Sequence, residues 1–300
     1  MTTMAKAEPL LTGLQLPEAP RWHDGRLWLS DIRGGLVLSL IAGEPARLEA
    51  EFDEPCSGLG FLPDGDAIVA LVQSSRIMRI DSAGVSLHAD LAGLPGTHLN
   101  DMITDPRGRA YVDRLHYGVE WTDAEMLPEA KRRFSFGIDY STGPEVTDSL
   151  ALVEADGSSA RVVADGLLGP NGMAISQDGR RLVVAEWRTN RITEFAVDPE
   201  DGTLSSPAVL PGVGERRPDG VCLDEAGAVW FASPHTGECV RVLAGAVTDV
   251  LRPTVGRRVT ACALGGEDRR TLFLMTDRKP EYSSGSVEAV RVEVPGAGSP

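Results

Sequence analysis

Five short segments put oxygen-bearing side chains just ahead of an apolar, β-rich run. They are Pro17-Glu18-Ala19-Pro20, Pro55-Cys56-Ser57-Gly58, Leu99-Asn100-Asp101-Met102, Pro170-Asn171-Gly172-Met173 and Pro218-Asp219-Gly220-Val221. Four of them carry a carboxylate or carboxamide, at Glu18, Asn100 with Asp101, Asn171 and Asp219. An all-oxygen donor set of mixed charge suits a hard divalent cation. Ca²⁺ fits better than Mg²⁺ because it accepts irregular geometry at about 2.3–2.6 Å; Mn²⁺ and Zn²⁺ are the remaining candidates, although zinc more often draws His or Cys. Asn-Gly and Asp-Gly are also ordinary turn dipeptides, so it is their recurrence at one position that marks them. Other chemistries lack support. No G-x-S-x-G elbow occurs, and Cys56, Cys222, Cys239 and Cys262 form no C-x-x-C pair, reading instead as small buried hydrophobes. His23 and His88 read as solvated turn or loop residues.

The elements that position these residues recur. Six apolar runs, Arg26–Ile32, Asp66–Val72, Arg109–Leu115, Arg181–Trp187, Ala228–Pro234 and Thr271–Asp277, each follow a polar turn such as PDG or SQDG. A further apolar segment precedes each turn, and a third strand follows most runs, as at Leu36–Leu40 and Arg191–Val197. Turn residues Gly25, Gly65, Gly108, Gly179, Gly227 and Asp268 stand 40, 43, 71, 48 and 41 residues apart. Apart from the long interval, this is the period of a propeller blade, about 40–50 residues with four antiparallel strands. The chain is therefore expected to be all-β, a six-bladed β-propeller forming one domain over residues 1–300. In a blade the innermost strand runs along the channel and the second strand returns. Residues ahead of innermost strands and residues in the second-to-third-strand loops thus share one face, while the Asp-Gly turns occupy the other. His98, His116 and His235 fall on the face of the acid set.

Forty-four acidic against twenty-nine basic residues give a net charge of -15, which repels phosphate backbones and argues against nucleic acid as a partner. Met1 to Pro20 contains no apolar stretch suited to a signal peptide, and no apolar run of about 18 residues occurs. The expectation is a cytoplasmic protein without membrane contact, monomeric or dimeric, acting on a small molecule.

The 71-residue interval exceeds a blade of about 45 residues by about 26. The excess falls at about 116–148, in the second-to-third-strand loop of blade three, on the acid face. It holds His116, Tyr117, Trp121, Phe134, Phe136 and Tyr140, with Lys131, Arg132 and Arg133, and one helix-like piece, Thr122–Arg133. A loop so long and so aromatic predicts a lid, with Trp187 helping to line the pocket beneath it.

The segments LPEAPRWHDGRLWLSDI, LNDMITDPRGRAYV, LGPNGMAISQDGRRLVVAE, RPDGVCLDEAGAVWFAS and TACALGGEDRRTLFLMT resemble repeat signatures of the senescence marker protein, gluconolactonase and luciferin-regenerating enzyme family. The resemblance spans residues 16 to about 293. It implies a six-bladed propeller with a central divalent cation held by Glu18, Asn171 and Asp219, approached by Asn100 directly or through water, with Asp101 helping to position substrate. Two residues depart from the family pattern: Ala19 stands where Gly is usual, and His98 stands where sugar-lactone enzymes carry Arg. The implied activity is a divalent-metal-dependent hydrolase that opens a lactone or related ester. The metal polarises the carbonyl, and a carboxylate, Asp219 or else Asp101, activates water. Asn100, His98, Trp121 and Trp187 are the expected substrate contacts. The alternatives are cleavage of a phosphotriester, a non-hydrolytic cyclase or isomerase acting on a larger metabolite, and a calcium-binding protein without catalysis.

Overall fold

Second strands with no polar face need cover on both sides, and the chain supplies it by stacking sheet on sheet around a ring. The computed structural model describes residues 7–116, 147–278 and 284–298. They form six four-stranded antiparallel sheets, the blades of a β-propeller. Blade one comprises Pro17–His23, Arg26–Asp31, Leu36–Leu40 and Arg47–Glu51; blade two Cys56–Phe61, Ala67–Leu71, Arg76–Asp81 and Gly84–Asp90. Blade three comprises Met102–Thr104, Ala110–Arg114, Asp148–Val153 and Ala160–Leu167; blade four Pro170–Ile175, Arg181–Glu186, Arg191–Val197 and Leu204–Val209. Blade five comprises Val221–Leu223, Val229–Ser233, Glu238–Leu243 and Ala246–Leu251. Blade six contributes Arg258–Gly265, Thr271–Asp277 and Gly285–Arg291. Its outermost strand is Glu8–Leu14, from the other end of the chain, in register through Leu11 and Val287. This strand closes the ring, because blade six has no fourth strand of its own.

Second strands such as Ala67–Leu71 and Val229–Ser233 are buried at every residue, whereas Ala246–Leu251 at the rim is mostly exposed. The core is accordingly six apolar clusters, one between each pair of neighbouring blades. Between blades two and three, for example, Ile68 and Ala70 meet Leu99, Met102, Val112 and Val153. The five turn glycines adopt φ between +68° and +93°, the left-handed region open to glycine at little cost. The sixth turn places Arg269 there, at φ +56°.

Two histidines differ from expectation. His23 ends the first strand of blade one and stacks on Phe61, ring centroids 3.7 Å apart and planes within 7°. His88 lies in the outer strand of blade two with Nε2 buried and unbonded. An Asp-Gly turn beside the first and a polar flank beside the second hide this packing across blades from the sequence. The four cysteines are free thiols. Among the described residues no helix is long and apolar enough to cross a membrane. The expected lid, with Trp121 and the Thr122–Arg133 segment, falls on residues 117–146, outside the described residues.

Candidate functional site

At the channel mouth opposite the Asp-Gly turns, the inner strands enter side by side. Strand register aligns Glu18, Ser57, Asn100, Asn171 and Asp219 as the same position of blades one to five, with Val259 in blade six. Four of these strands carry a register shift immediately after the position, between Glu18 and Arg21, Cys56 and Leu59, Pro170 and Met173, and Val259 and Ala261. Such bulges re-aim side chains at the rims of closed sheets.

The residue after this position explains the Asn-Gly and Asp-Gly pairs. A Cβ on Gly58 would collide with the Met102 backbone, one on Gly172 with the Asp219 carbonyl, and one on Gly220 with Ala261. None of the three glycines has a positive φ. Gly58 and Gly172 lie in inner strands and Gly220 immediately precedes one; all three are kept bare so that neighbouring blades can touch, and Gly58 N–H donates to Asn100 O (2.7 Å) while Gly220 N–H donates to Thr260 O (2.9 Å) across those contacts. The turn reading of these dipeptides therefore does not apply.

Buried carboxylates peg the entering segments. Asp113, fully buried in the second strand of blade three, accepts the N–H of Asn100 (2.6 Å) and of Asp101 (3.0 Å). Asp31 does the same for Gln15 and Leu16, and Asp148 for His116 and Gly169. Burial pushes the Asp113 carboxyl well above the usual carboxylate range.

Glu18, Asp101 and Asp219 lie close enough to raise one another's pKa. Glu18 is held well above its usual value, first by desolvation and then by Asp219, with a hydrogen bond to Thr260 opposing. Asp219 is pushed up to about 8 by desolvation and then by Asp101, against the pull of Arg258. Asp101 is raised by desolvation and drawn back by Arg21. The two candidate bases separate at this point. Asp101 is 5% exposed and accepts from Arg21 Nη2 (3.4 Å), from the Met102 N–H (2.7 Å) and from the Met173 N–H. Asp219 is only half-buried, and no donor among the described residues hydrogen-bonds its carboxylate. The Asn171 carboxamide is likewise unbonded among them, and Asn100 Oδ1 accepts only from Ser57 Oγ at 3.3 Å. Donor atoms left open beside desolvated, mutually repelling carboxylates are what a hard cation satisfies. No trio of His, Cys, Asp or Glu converges on a metal position among the described residues. The candidate set contains only two residues of those types, Glu18 and Asp219, and its other members are amides. The donor chemistry thus fits an oxygen-loving dication.

His98 lies two residues ahead of Asn100, bridged to Leu115, with Nδ1 2.8 Å from Thr97 Oγ1; burial and then Arg114 lower its pKa. Trp187 packs over Gly169, whose Cβ would strike the indole, and so stands on the Asn171 side of the mouth. His116 is on the same face, Nδ1 3.7 Å from Asp148, and His235 is exposed. A cavity of about 360 Å³ opens at the opposite mouth between His23, Phe61, Thr104 and Gln177. None of the candidate residues lines it.

Sequence reasoning missed Arg21, Asp113 and Thr260. Asp113 had a signal, a carboxylate inside the apolar run RAYVDRL. Arg21 and Thr260 had none, since Arg21 follows its bulge and Thr260 lies within one, so both fall out of simple alternation.

The family model described as SMP-30/Gluconolactonase/LRE-like region matches residues 16–278, and the chain belongs to that family. It is 28% identical to 6-deoxy-6-sulfogluconolactonase of Pseudomonas putida over 95% of this chain and 94% of that one. It is 27% identical to pentonolactonase XacC of Haloferax volcanii, covering 88% and 82%. The fold is similar to that of regucalcin from Agrobacterium tumefaciens, a calcium-binding protein, with TM-score 0.77, 19% identity and coverage of 99% and 97%.

Proposed function

We propose that the chain is a divalent-cation-dependent hydrolase that opens a lactone by attack of water at the mouth of the propeller channel. The observation that carries this reading is the open, half-buried carboxylate of Asp219 facing Glu18, Asn100 and Asn171 in one ring. Relatives named for opening 6-deoxy-6-sulfogluconolactone and pentonolactone support the lactone as substrate class, and the lactonase-like character of the enzyme follows from them.

Glu18, Asn171 and Asp219 would hold the cation, with Asn100 completing the set, and Ca²⁺ suits these donors best. When bound, the ion supplies Lewis-acid charge to the ester carbonyl. Asp219 orients the attacking water and accepts its proton. Asp101, already engaged by Arg21 and two backbone donors, holds the entering strand in place instead of exchanging protons. His98, short and neutral, offers a ring nitrogen where an Arg would offer a fork, and Trp187 offers an apolar wall. The pocket therefore favours lactones with fewer anionic groups than an arginine-bearing site.

Opening a lactone at neutral pH releases one proton, so a panel of sugar, aliphatic and aryl lactones followed by proton release, with and without chelator, tests the reading. Chelator-sensitive turnover of at least one lactone, lowered about 10²–10⁴-fold in Asp219→Asn, is expected. Absence of any chelator-sensitive turnover would refute it.

A further inference from the structure

Arg21 is 4% exposed and lies inside the channel, three residues along the inner strand from Glu18. Its guanidinium spans three blades. Nη1 donates to Pro20 O (2.9 Å) in blade one, Nε to Leu59 O (3.1 Å) in blade two, and Nη2 to Met102 O (2.5 Å) and Asp101 Oδ1 (3.4 Å) in blade three. Three backbone carbonyls and one carboxylate fix a permanent positive charge just inside the ring that carries Glu18 and Asp219.

Two other buried guanidinium groups nearby have partners of their own. Arg258 pairs with Asp277, and Asp113 acts on Arg114, whose Nε and Nη2 donate to the carbonyls of Leu94, Pro95 and Gly96. Ionised, as a bound cation would hold them, Glu18, Asp101 and Asp219 would carry three negative charges against the one on Arg21.

We infer that Arg21 sets the charge preference of the site, holding Asp101 as its own counter-ion so that the remaining donors favour a divalent over a trivalent cation. The inference rests on the proposed cation site. A fixed positive charge at short range opposes a trivalent ion more than a divalent one, because the Coulomb energy scales with the ion's charge. Replacing Arg21 by a neutral residue removes that bias and also releases a carboxylate.

The test is the ratio of Tb³⁺ to Ca²⁺ affinity in metal-stripped protein, read by terbium luminescence and calorimetry. Arg21→Met should raise the ratio about tenfold, Arg21→Lys should leave it near wild type, and Asp101→Asn should lower it. The double variant Arg21→Met with Asp101→Asn, a neutral pair of similar shape, should bring the ratio back. Should Arg21→Met fail to fold, the Asp101→Asn shift and the double variant still decide. A parallel fall of both affinities in Arg21→Met, as loss of packing alone would produce, overturns the inference, as does an unchanged ratio. Failure of wild type to bind either ion overturns the cation site itself.

Discussion

Asp219 and Asp101 are the same side chain in two different surroundings. The second is saturated with donors, and the first is left open. In the ion-free protein Asp219 titrates near pH 8, so cation binding at pH 7 displaces protons, and calorimetry in buffers of different ionisation enthalpy should show release on Ca²⁺ addition. The same shift has a stability consequence. A carboxyl whose pKa is raised on folding stabilises the protonated folded state and loses that contribution as pH rises toward the folded value. His23, His88 and His98, all lowered by burial, act oppositely but only below about pH 6.5. From pH 7 to 8.5 the chelated protein should therefore lose melting temperature, and Asp219→Asn should flatten that slope. Ala19 supplies another residue-scale test. It sits at φ +46°, where a Cβ costs about 1–2 kcal/mol, so Ala19→Gly should raise stability by about 1 kcal/mol in a denaturant melt. The sequence marks Glu18, Asn171 and Asp219 as candidates because types and positions recur. It left Asp101 tied with Asp219, since a carboxylate's donors come from other blades.

At the scale of elements, strand positions were legible nearly to the residue. Arg191–Val197 and Thr271–Asp277 coincide with observed strands, because polar turns and apolar runs alternate without interruption. The inner strands were harder. Their bulges break period two, which is why Arg21 went unnoticed, and their glycines imitate turns. Those glycines make a sharp prediction. Gly172→Ala forces a Cβ against the Asp219 carbonyl, displacing a proposed ligand by overpacking, and should cost about 1–3 kcal/mol together with Ca²⁺ affinity. Gly227→Ala, at a turn glycine with open space around it, should lower stability through its positive φ alone and leave Ca²⁺ affinity unchanged. Equal effects of the two on affinity would show that blade contact does not set the ligand position.

For the molecule as a whole, six similar units were readable from spacing, but closure was not. Glu8–Leu14 shows no clear alternation, and its partner strand lies at the far end of the sequence. Removing residues 1–14 should expose the edge of blade six and lower the melting temperature sharply without altering any candidate ligand. The proposed ring of donors draws on four blades around one mouth, so ion occupancy and catalysis should rise and fall together. The most direct measurement is lactone opening by chelated protein during stepwise return of Ca²⁺, with bound ion counted in parallel. Activity is expected to climb in proportion to occupancy and to level off at one ion per chain. Full activity in the chelated protein, or activity unrelated to occupancy, would contradict the account.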